Sequence, residues 1–179
     1  MVSAMSSRHG THDTRDGFGH PRLFPVDGRA ADDYLTPPWL FERLGLTFDL
    51  DPAAPAGGVP WLPAAAHYSL LEDGLAQDWR GRVWLNPPYS NTAPWVDRML
   101  EHRDGIALLP CSRAEWWARL WRRADAIVNL EDAAPDGSRF RFIRAGALTG
   151  VYLPVVLAAF GAASVEAAAR VGPARYLAA

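Results

Sequence analysis

Lysine is absent from this sequence, and all of its 18 Lys and Arg residues are arginine. The formal net charge is −2 at pH 7. The chain therefore lacks the basic balance typical of proteins that bind nucleic acid tightly and non-specifically, although a local cleft lined by arginine stays compatible with this composition. The abundance of alanine, proline and glycine beside arginine indicates that a GC-rich coding bias explains the missing lysine.

Cysteine occurs once, at Cys111, which excludes an intramolecular disulfide and a cysteine-based zinc site. No apolar run is long enough to span a bilayer, and residues 1–29 lack the apolar core of a secretion signal. We therefore expect a cytoplasmic protein without membrane association. No metal site is expected either, since His9, His12 and His20 have no cysteine or carboxylate framework around them.

Apolar residues make up 49% of the chain, and eight residues are tryptophan. This content is sufficient for one domain with a proper core. Residues 1–30 contain few apolar side chains and are predicted to form a disordered or loosely attached tail. Residues 31–179 are predicted to form a single α/β domain.

The stretch from Val83 to Ser90 reads Val-Trp-Leu-Asn-Pro-Pro-Tyr-Ser. Its apolar half predicts a short buried strand. Pro87 and Pro88 end that strand, because proline has no N–H to donate to a sheet. The two prolines also fix the backbone, so that the polar groups of Asn86 and Pro87 are held in place. A strand that ends in a rigid turn is where ligands bind in open α/β sheets.

The residues of this turn suit chemistry on an exocyclic amine of a planar ring. Such an amine is a poor nucleophile because its lone pair is delocalised into the ring. The side-chain oxygen of Asn86 and the carbonyl of Pro87 would accept its two hydrogens and localise that lone pair on nitrogen. Tyr89 would hold the ring by stacking. A strand followed by a proline-rich turn with a packed tyrosine is the alternative interpretation.

A helix is predicted to begin with Thr36 as N-cap and Pro37 as first helical residue, and to end at Gly45. Leu46 to Leu50 is predicted as the first strand. The loop that follows, residues 51–58, is rich in small residues, which let a ligand approach the backbone closely. Its acidic group suits a cofactor with ribose hydroxyls and a cationic amino group, although Asp51 would also serve as a turn cap.

Only about thirty residues separate Asp51 from Val83, too few for two further strand–helix units, so this region is predicted to be abbreviated. The elements predicted after the turn are a helix from Asn91-Thr92, a strand at 106–110, a helix capped by Ser112, a strand at 126–130, an alternating segment at 139–144, its partner strand at 151–160 and a helix at 162–171. The arginines of the helix after Ser112 are predicted to form a solvated face, with phosphate contacts as the alternative.

Several short segments occur in an order typical of one family. They are Thr36-Pro37-Pro38, residues 48–54, Asp73-Gly74-Leu75 with Trp79, residues 86–90 with Trp95, Leu109-Pro110 with Trp116-Trp117, and Arg139-Phe140. Asn86-Pro87-Pro88-Tyr89 resembles the catalytic tetrapeptide of S-adenosylmethionine-dependent amino-methyltransferases. The ordered set, over residues 32–161, resembles the small phage-type, Dam-like DNA N6-adenine methyltransferases.

This resemblance implies a compact, abbreviated Rossmann-like methyltransferase fold of the α/β class with an antiparallel terminal strand, in which residues 139–144 and 151–160 form the terminal hairpin. It implies site-specific methylation of adenine N6 in double-stranded DNA, as in phage or restriction-modification enzymes of a bacterial host cell. The cofactor would be S-adenosylmethionine, and the adenine would be flipped out of the duplex. The oligomeric state is not implied.

The resemblance also assigns roles to residues. Asn86, Pro87, Pro88 and Tyr89 would be catalytic, with Asn86 also at the cofactor. Thr36 and Pro37 would lie at the methionine end of the cofactor, Asp51, Pro52 and Ala53 in the loop beside it, and Asp73 near its adenine end. Asp73-Gly74 also reads as a simple turn.

The chain departs from the family in the loop after the first strand, which lacks the usual tight glycine pattern. This departure and the slightly acidic net charge leave one alternative open, a catalytically degenerate relative that binds DNA. A second alternative is methylation of another amine, because Asn-Pro-Pro-Tyr also serves in methylation of protein glutamine and related tetrapeptides serve in methylation of cytosine N4.

Overall fold

The computed structural model describes residues 34–144, 147–150 and 153–177. Its helices are α1 (Pro38–Leu44), α2 (Thr92–His102), α3 (Glu115–Arg123) and α4 (Ala162–Ala169). Its strands are β1 (Phe48–Asp51), β2 (Ala64–His67), β3 (Val83–Leu85), β4 (Gly105–Pro110), β5 (Ala126–Asn129), β6 (Phe142–Arg144), β7 (Ala147–Thr149), β8 (Val155–Phe160) and β9 (Ala174–Tyr176). None of the described helices has the length and apolarity to cross a bilayer. The predicted tail, residues 1–30, lies outside the described residues.

The main sheet has the strand order β2-β1-β3-β4-β8-β5-β9. Strands β2, β1, β3 and β4 are parallel to one another. Strand β8 is antiparallel to both β4 and β5, and β9 is antiparallel to β5. Hence β5 runs in the direction of the first four strands. The predicted α/β class with a mostly parallel central sheet agrees with this arrangement.

The central strands are covered by helices on both faces. In β3, Val83 and Leu85 belong to one cluster of buried residues and Trp84 to another, because successive side chains of a strand point to opposite faces. Helices α1 and α4 cover the face of Trp84, and α2 and α3 cover the other. This double burial explains why every residue of β4 and β8 is buried.

The predicted pairing of residues 139–144 with residues 151–160 is wrong. Strand β6 pairs with β7 in a separate two-stranded sheet, whereas β8 is inserted between β4 and β5. The physical reason is burial: a strand apolar at every position needs cover on both faces, which a terminal hairpin does not provide. The antiparallel strand at the end of the sheet is β9, which was not predicted.

The start of α1 also differs from the prediction. The N-cap position is occupied by Pro37, with φ −69° and ψ 148°, and not by Thr36. Because a residue that precedes proline is disfavoured in the helical region, Pro38 keeps Pro37 extended and delays the helix by one residue. The predicted end is confirmed: Gly45 has φ 59°, and its N–H donates to the Phe41 carbonyl at 3.0 Å.

Strand β2 has no counterpart among the predicted elements. Its sequence, Ala-Ala-Ala-His, carries no apolar alternation, and three of its four residues are exposed. It pairs parallel with β1, with Asp51 opposite His67. The region between β1 and β3 is thus abbreviated as predicted, with one described strand in place of two strand–helix units.

Candidate active site

The end of β1 and the end of β3 lie side by side. The two strands are parallel neighbours, with Leu50 opposite Val83, so the residues that follow them meet at one edge of the sheet. Asp51 and Asn86 both line a narrow cavity at that edge, about 20 Å³ in volume. We name it the cofactor-side cavity, after the cofactor role that the family resemblance predicts for Thr36, Asp51 and Asn86. Its lining residues are Tyr34, Leu35, Thr36, Phe41, Asp51, Ala53, Pro55, Val59, Trp84 and Asn86.

Asp51 is a buried carboxyl group, with 3% of its surface exposed. Burial raises the pKa of Asp51 from 3.8 to about 7, against the opposing effect of the hydrogen bond from the Ala53 N–H. That N–H donates to Oδ1 of Asp51 at 3.2 Å, which is the turn-capping contact considered above as an alternative role. The carboxyl group has no cationic partner among the described residues, so a bound cation would stabilise its charged form.

Thr36 contributes a second buried polar group to this cavity. The residue is 2% exposed, and its hydroxyl has no hydrogen-bond partner among the residues that the structure describes. Its backbone carbonyl accepts a hydrogen bond from Nε1 of Trp61 at 2.8 Å, which holds this part of the chain. An unsatisfied buried hydroxyl costs about 1–3 kcal/mol, so Thr36 Oγ1 is available to a ligand. Pro37 is buried beside it but does not line the cavity.

The orientation of the Asn86 side chain is determined by one contact. Its Nδ2 donates to the Tyr34 carbonyl oxygen at 3.0 Å. A carbonyl oxygen only accepts hydrogen bonds, so the amide nitrogen must face Tyr34 and Oδ1 must face away from it. The chemistry predicted from the sequence needs Oδ1 as a hydrogen-bond acceptor. Oδ1 is the end of the amide that does not contact Tyr34.

Beyond Asn86, the chain turns sharply and enters α2. The Pro88 carbonyl accepts a hydrogen bond from the Asn91 N–H at 3.2 Å, within the 3-10 turn Tyr89–Asn91. Thr92 Oγ1 then donates to the Tyr89 carbonyl at 3.3 Å. These contacts make the turn rigid, as the two prolines predict.

The Tyr89 ring is anchored on its inner side. It packs edge-on against Phe142 at 6.1 Å, and its hydroxyl donates to the Leu108 carbonyl at 3.4 Å. Burial holds the pKa of the Tyr89 phenol far above its ordinary range. No role for the hydroxyl was predicted, and the structure gives it a contact with β4.

A second cavity, about 300 Å³ in volume, lies on the Tyr89 side of the turn. We term it the turn-side cavity, and its lining residues are Tyr89, Ser90, Asn91, Thr92, Ala93, Pro110, Cys111, Ser112, Trp116 and Leu153. Burial raises the pKa of the Cys111 thiol. The Asn86–Tyr89 turn thus borders two cavities, with its first residue lining one and its last residue lining the other.

Asp73 lies outside both cavities. It is exposed, with φ 52°, and starts a turn in which its carbonyl accepts from the Ala76 N–H at 2.9 Å. The next residue, Gly74, packs directly on the loop after β1: a Cβ atom there would lie 1.9 Å from the Pro52 carbonyl oxygen. Nε1 of Trp79 donates to the Gly74 carbonyl at 2.7 Å. Asp73 therefore lies beside the loop that follows β1, but it does not line the cofactor-side cavity.

Two arginines of α3 are engaged within the protein. Arg119 makes a two-pronged contact with the Asp97 carboxylate, with distances of 2.7 and 2.9 Å from Nη2. Arg123 donates to the Leu100 carbonyl at 3.1 Å. These contacts connect α3 to α2 and give both arginines a structural role, while the alternative of phosphate contacts stays untested.

The family model described as DNA N-6-adenine-methyltransferase (Dam) matches residues 26–151 of this chain. The chain belongs to the Dam family. The predicted resemblance is thereby confirmed. The match includes the Thr36 segment, the Asp51 loop, the Asn86 turn and the β6 strand.

A curated relative of this Dam-family chain is the "DNA N-6-adenine-methyltransferase" of Haemophilus phage HP1 (strain HP1c1). The two are 29% identical over 113 residues, which is 57% of this chain and 64% of the relative. The chain therefore spans somewhat less than two thirds of that relative's length. No solved structure matches the chain.

Sequence reasoning missed the contribution of Tyr34 and Leu35 to the cofactor-side cavity. Both residues directly precede the Thr-Pro-Pro segment, and that position was the only local signal available. Their partners, Asn86 and Ile143, are distant in sequence. No pattern within a short window indicates such contacts.

Proposed function

We propose that this Dam-family chain transfers the methyl group of S-adenosylmethionine to N6 of adenine in double-stranded DNA. The observation that supports this most is the position of the Asn86–Tyr89 turn between two cavities. A group transfer needs its donor and its acceptor held on either side of the reacting atoms. The printed name of the HP1 relative supports adenine N6 as the acceptor.

The buried polar groups of the cofactor-side cavity fit S-adenosylmethionine. When bound, this cofactor supplies a methyl group on a cationic sulfur centre. The Asp51 carboxylate would balance positive charge of the cofactor, and the unpartnered Thr36 hydroxyl would donate or accept one hydrogen bond. As the family resemblance implies, Thr36 and Pro37 would lie at the methionine end, Pro52 and Ala53 in the loop beside the cofactor, and Asp73 toward its adenine end. Ala53 lines the cavity, whereas Pro37 and Pro52 would act from behind its wall.

The turn-side cavity supports a flipped-out base as the acceptor. Its volume, about 300 Å³, is at the lower end of the range of about 300–1,000 Å³ typical of ligand pockets. Oδ1 of Asn86 and the Pro87 carbonyl would accept the two N6 hydrogens, and Pro88 would keep the turn rigid. Tyr89 would stack on the base. The amine proton would leave to water after transfer, because amide oxygens are too weakly basic to retain it.

Nucleoside analysis tests this proposal directly. Purified protein is incubated with methyl-labelled S-adenosylmethionine and duplex DNA of varied sequence, and the digested nucleosides are separated. We expect label in N6-methyladenine. Label in N4-methylcytosine, or in a protein glutamine supplied in parallel, would assign the acceptor to one of the alternatives. Folded protein that binds the cofactor and labels none of them would contradict the proposal.

The narrowness of the cofactor-side cavity supports a second candidate, a relative that binds DNA without transferring a methyl group. A cavity of about 20 Å³ must widen before it admits a nucleoside. Calorimetric titration with S-adenosylmethionine separates the two candidates. Saturable binding that Asp51→Asn weakens supports the enzyme, whereas DNA binding without cofactor binding supports the second candidate.

We further propose that the protein acts in the cytoplasm of a bacterial host cell, on specific DNA sites, as a phage or restriction-modification enzyme does. The phage origin of the HP1 relative supports this setting. Sequencing that detects methylated adenine, applied to DNA from cells that express the protein, would give the site. Methylation without any sequence preference would contradict site specificity.

A further inference from the structure

The segment Tyr34–Thr36 is attached to the β6–β7 hairpin. The Leu35 N–H donates to the Ile143 carbonyl, and the Ile143 N–H donates to the Leu35 carbonyl, each at 2.9 Å. The two residues form an isolated antiparallel bridge. The Tyr34 ring adds an edge-on contact with Phe142 at 5.7 Å. The segment is therefore joined to the hairpin through this single bridge and the ring contact beside it.

The same segment reaches the proposed catalytic turn. The carbonyl of Tyr34, one residue before the bridge, accepts the hydrogen bond from Asn86 Nδ2 at 3.0 Å. Reversal of the amide would bring two oxygen atoms together. An unconstrained asparagine amide has two broad, nearly equivalent orientations. The contact with Tyr34 therefore selects one of them.

We infer that the β6–β7 hairpin positions the Asn86 amide for catalysis, through the bridge between Ile143 and Leu35 and the carbonyl of Tyr34. This inference rests on the proposed function, since only the selected orientation presents Oδ1 to the amine. In the reversed orientation Nδ2 would face the amine hydrogens and repel them. Ile143 is a positioning residue in this scheme, because it lines neither cavity and acts through Asn86. Tyr34 also lines the cofactor-side cavity, but its backbone carbonyl positions Asn86 through the hydrogen bond from Nδ2.

A single substitution can break this connection without opening the hairpin. Both backbone groups of Ile143 bond to Leu35, so its pairing with Leu148 in β7 is of the type without mutual hydrogen bonds. Ile143→Pro therefore removes the N–H that serves the bridge and leaves the ladder of β6 and β7 in place. At its other end the segment stays attached, because Trp61 holds the Thr36 carbonyl.

Two matched controls are available in the hairpin. Ile143→Val keeps the N–H and the bridge. Leu148→Pro places proline on the opposite strand of the same residue pair, where the side chain is exposed and the N–H does not face Leu35. We expect both controls to behave as the unchanged protein in the two measurements that follow. A loss in Leu148→Pro equal to that in Ile143→Pro would assign the effect to the hairpin in general and overturn the inference.

The first measurement observes the amide itself and requires no activity. Nitrogen-15 NMR of the Asn86 side chain, identified by its disappearance in Asn86→Asp, reports the hydrogen bond through the separation of its two proton shifts and their exchange with water. We expect Ile143→Pro to reduce the separation and speed the exchange. Unchanged signals in this variant would overturn the inference whether or not the protein methylates DNA.

The second measurement tests the effect on catalysis by a double-mutant cycle. Loss of one neutral hydrogen bond corresponds to about a fivefold effect, so we expect Ile143→Pro to lower kcat about fivefold. In Asn86→Asp at pH 8, residue 86 has no side-chain N–H to donate to the Tyr34 carbonyl. Adding Ile143→Pro to this variant should therefore change kcat less than twofold. A fivefold loss in both backgrounds would mean a merely structural role and would overturn the inference.

Two outcomes need their own interpretation. If the unchanged protein transfers no methyl group, the proposed function fails, while the NMR measurement still decides whether the hairpin orients Asn86.

If Ile143→Pro does not fold, Tyr34→Ala replaces it, with Tyr34→Phe as the control that keeps the ring contact with Phe142. We expect Tyr34→Ala to alter the Asn86 amide signals and Tyr34→Phe to leave them unchanged, and equal signals in both would overturn the inference.

Discussion

The two cavities beside the Asn86–Tyr89 turn differ in how their walls are built. The cofactor-side cavity is narrow and contains buried polar groups without full partners, the Asp51 carboxyl and the Thr36 hydroxyl. The turn-side cavity is wider, and the described residues that line it include Tyr89 and Trp116 but no carboxyl group. Aromatic residues line the cofactor-side cavity as well, namely Tyr34, Phe41 and Trp84, so the buried carboxyl group is the difference between the two. Unpaired buried polar groups are costly and suit a charged ligand. We therefore propose charge recognition in the cofactor-side cavity and stacking on Tyr89 in the turn-side cavity.

Asn86 lines the cofactor-side cavity at the start of the turn that borders both cavities, and it carries the proposed acceptor oxygen, so its loss should have the largest effect. We expect Asn86→Ala to lower turnover by about 100- to 1,000-fold, the usual cost of removing one polar group that stabilises a transition state. Stability should fall by only about 1 kcal/mol, since a single hydrogen bond to Tyr34 is lost. Single-turnover methylation and thermal melting on the same samples measure both quantities.

Asn129→Ala is the matched control for this substitution. Asn129 lies at the end of β5, is exposed and lines neither cavity, and its side chain also makes one hydrogen bond, from the Glu131 N–H at 2.8 Å. Near-native turnover in Asn86→Ala, or an equal loss in Asn129→Ala, would contradict the assignment of the acceptor to Asn86.

Tyr89 tests the stacking role of the turn-side cavity. Stacking of a base on an aromatic ring is worth about 1–3 kcal/mol, so Tyr89→Ala should lower kcat/KM about 5- to 150-fold. Tyr89→Phe keeps the ring and loses only the long hydrogen bond to Leu108, so most activity should remain. Activity is measured per folded molecule, because the Ala variant also loses packing against Phe142. Activity unchanged in Tyr89→Ala after this correction would leave the ring a packing role only.

Asp51 tests charge recognition in the cofactor-side cavity. Loss of a charge-assisted hydrogen bond costs about 1.5–3 kcal/mol, so Asp51→Asn should weaken S-adenosylmethionine binding about ten- to a hundredfold. In the unchanged protein the affinity should rise with pH up to about 7 and then level off, because burial raises the pKa of Asp51 to about 7 and only its charged form attracts the cofactor. Asp51→Asn should show no such dependence.

Asp49→Asn is the control for this titration. Asp49 is on the same strand but exposed, and its Oδ2 accepts the Arg82 N–H at 2.6 Å, a contact that asparagine can keep. Calorimetric titration with S-adenosylmethionine between pH 5.5 and pH 8.5 would measure the pH dependence of affinity in the unchanged protein and in both variants. A pH dependence that persists in Asp51→Asn would assign the titrating group elsewhere.

Stability should depend on the same carboxyl group. The pKa of Asp51 is raised from 3.8 to about 7 in the folded protein, so the unfolded chain loses its proton first. The contribution of Asp51 to the free energy of unfolding is therefore fully present below about pH 3.8 and lost as the pH rises to about 7. Denaturant titrations at several pH values should show this loss in the unchanged protein and its absence in Asp51→Asn. Parallel pH profiles for the two proteins would contradict the buried, uncompensated carboxyl group.

Substitution of Thr36 should have the smallest effect on cofactor binding. It also allows a buried hydroxyl without a hydrogen-bond partner to be compared with one that has a partner. Thr36→Val removes a buried hydroxyl that has no partner within the described part of the chain, so stability should stay equal or rise, while cofactor affinity falls about fivefold. Thr92→Val is the matched change, because the Thr92 hydroxyl is buried but donates to the Tyr89 carbonyl. It should lower the melting temperature. Calorimetry and melting curves check both variants, and a loss of stability in Thr36→Val would show that its hydroxyl has a partner in solution.

Elements with strong local patterns were predictable. The apolar run 83–85 followed by two prolines predicted β3 and its turn, and the apolar spacing of Trp95, Val96 and Met99 predicted α2. Strand β2 was missed because its alanines carry no periodic signal. The predicted position of β8 in the sheet was wrong, because an apolar run does not reveal which strands lie on either side of it.

The amino-acid sequence by itself determined the order of the segments, the rigid Asn86–Tyr89 turn and membership of the Dam family. These depend on residues close together in the chain, where proline geometry and apolar spacing act directly. Only the tertiary structure decided which groups share a cavity and how they are oriented. The bond from Asn86 to Tyr34 joins positions 52 residues apart, and the bridge from Leu35 to Ile143 spans most of the domain. Such contacts arise when sheet and helices pack, and no local pattern records them.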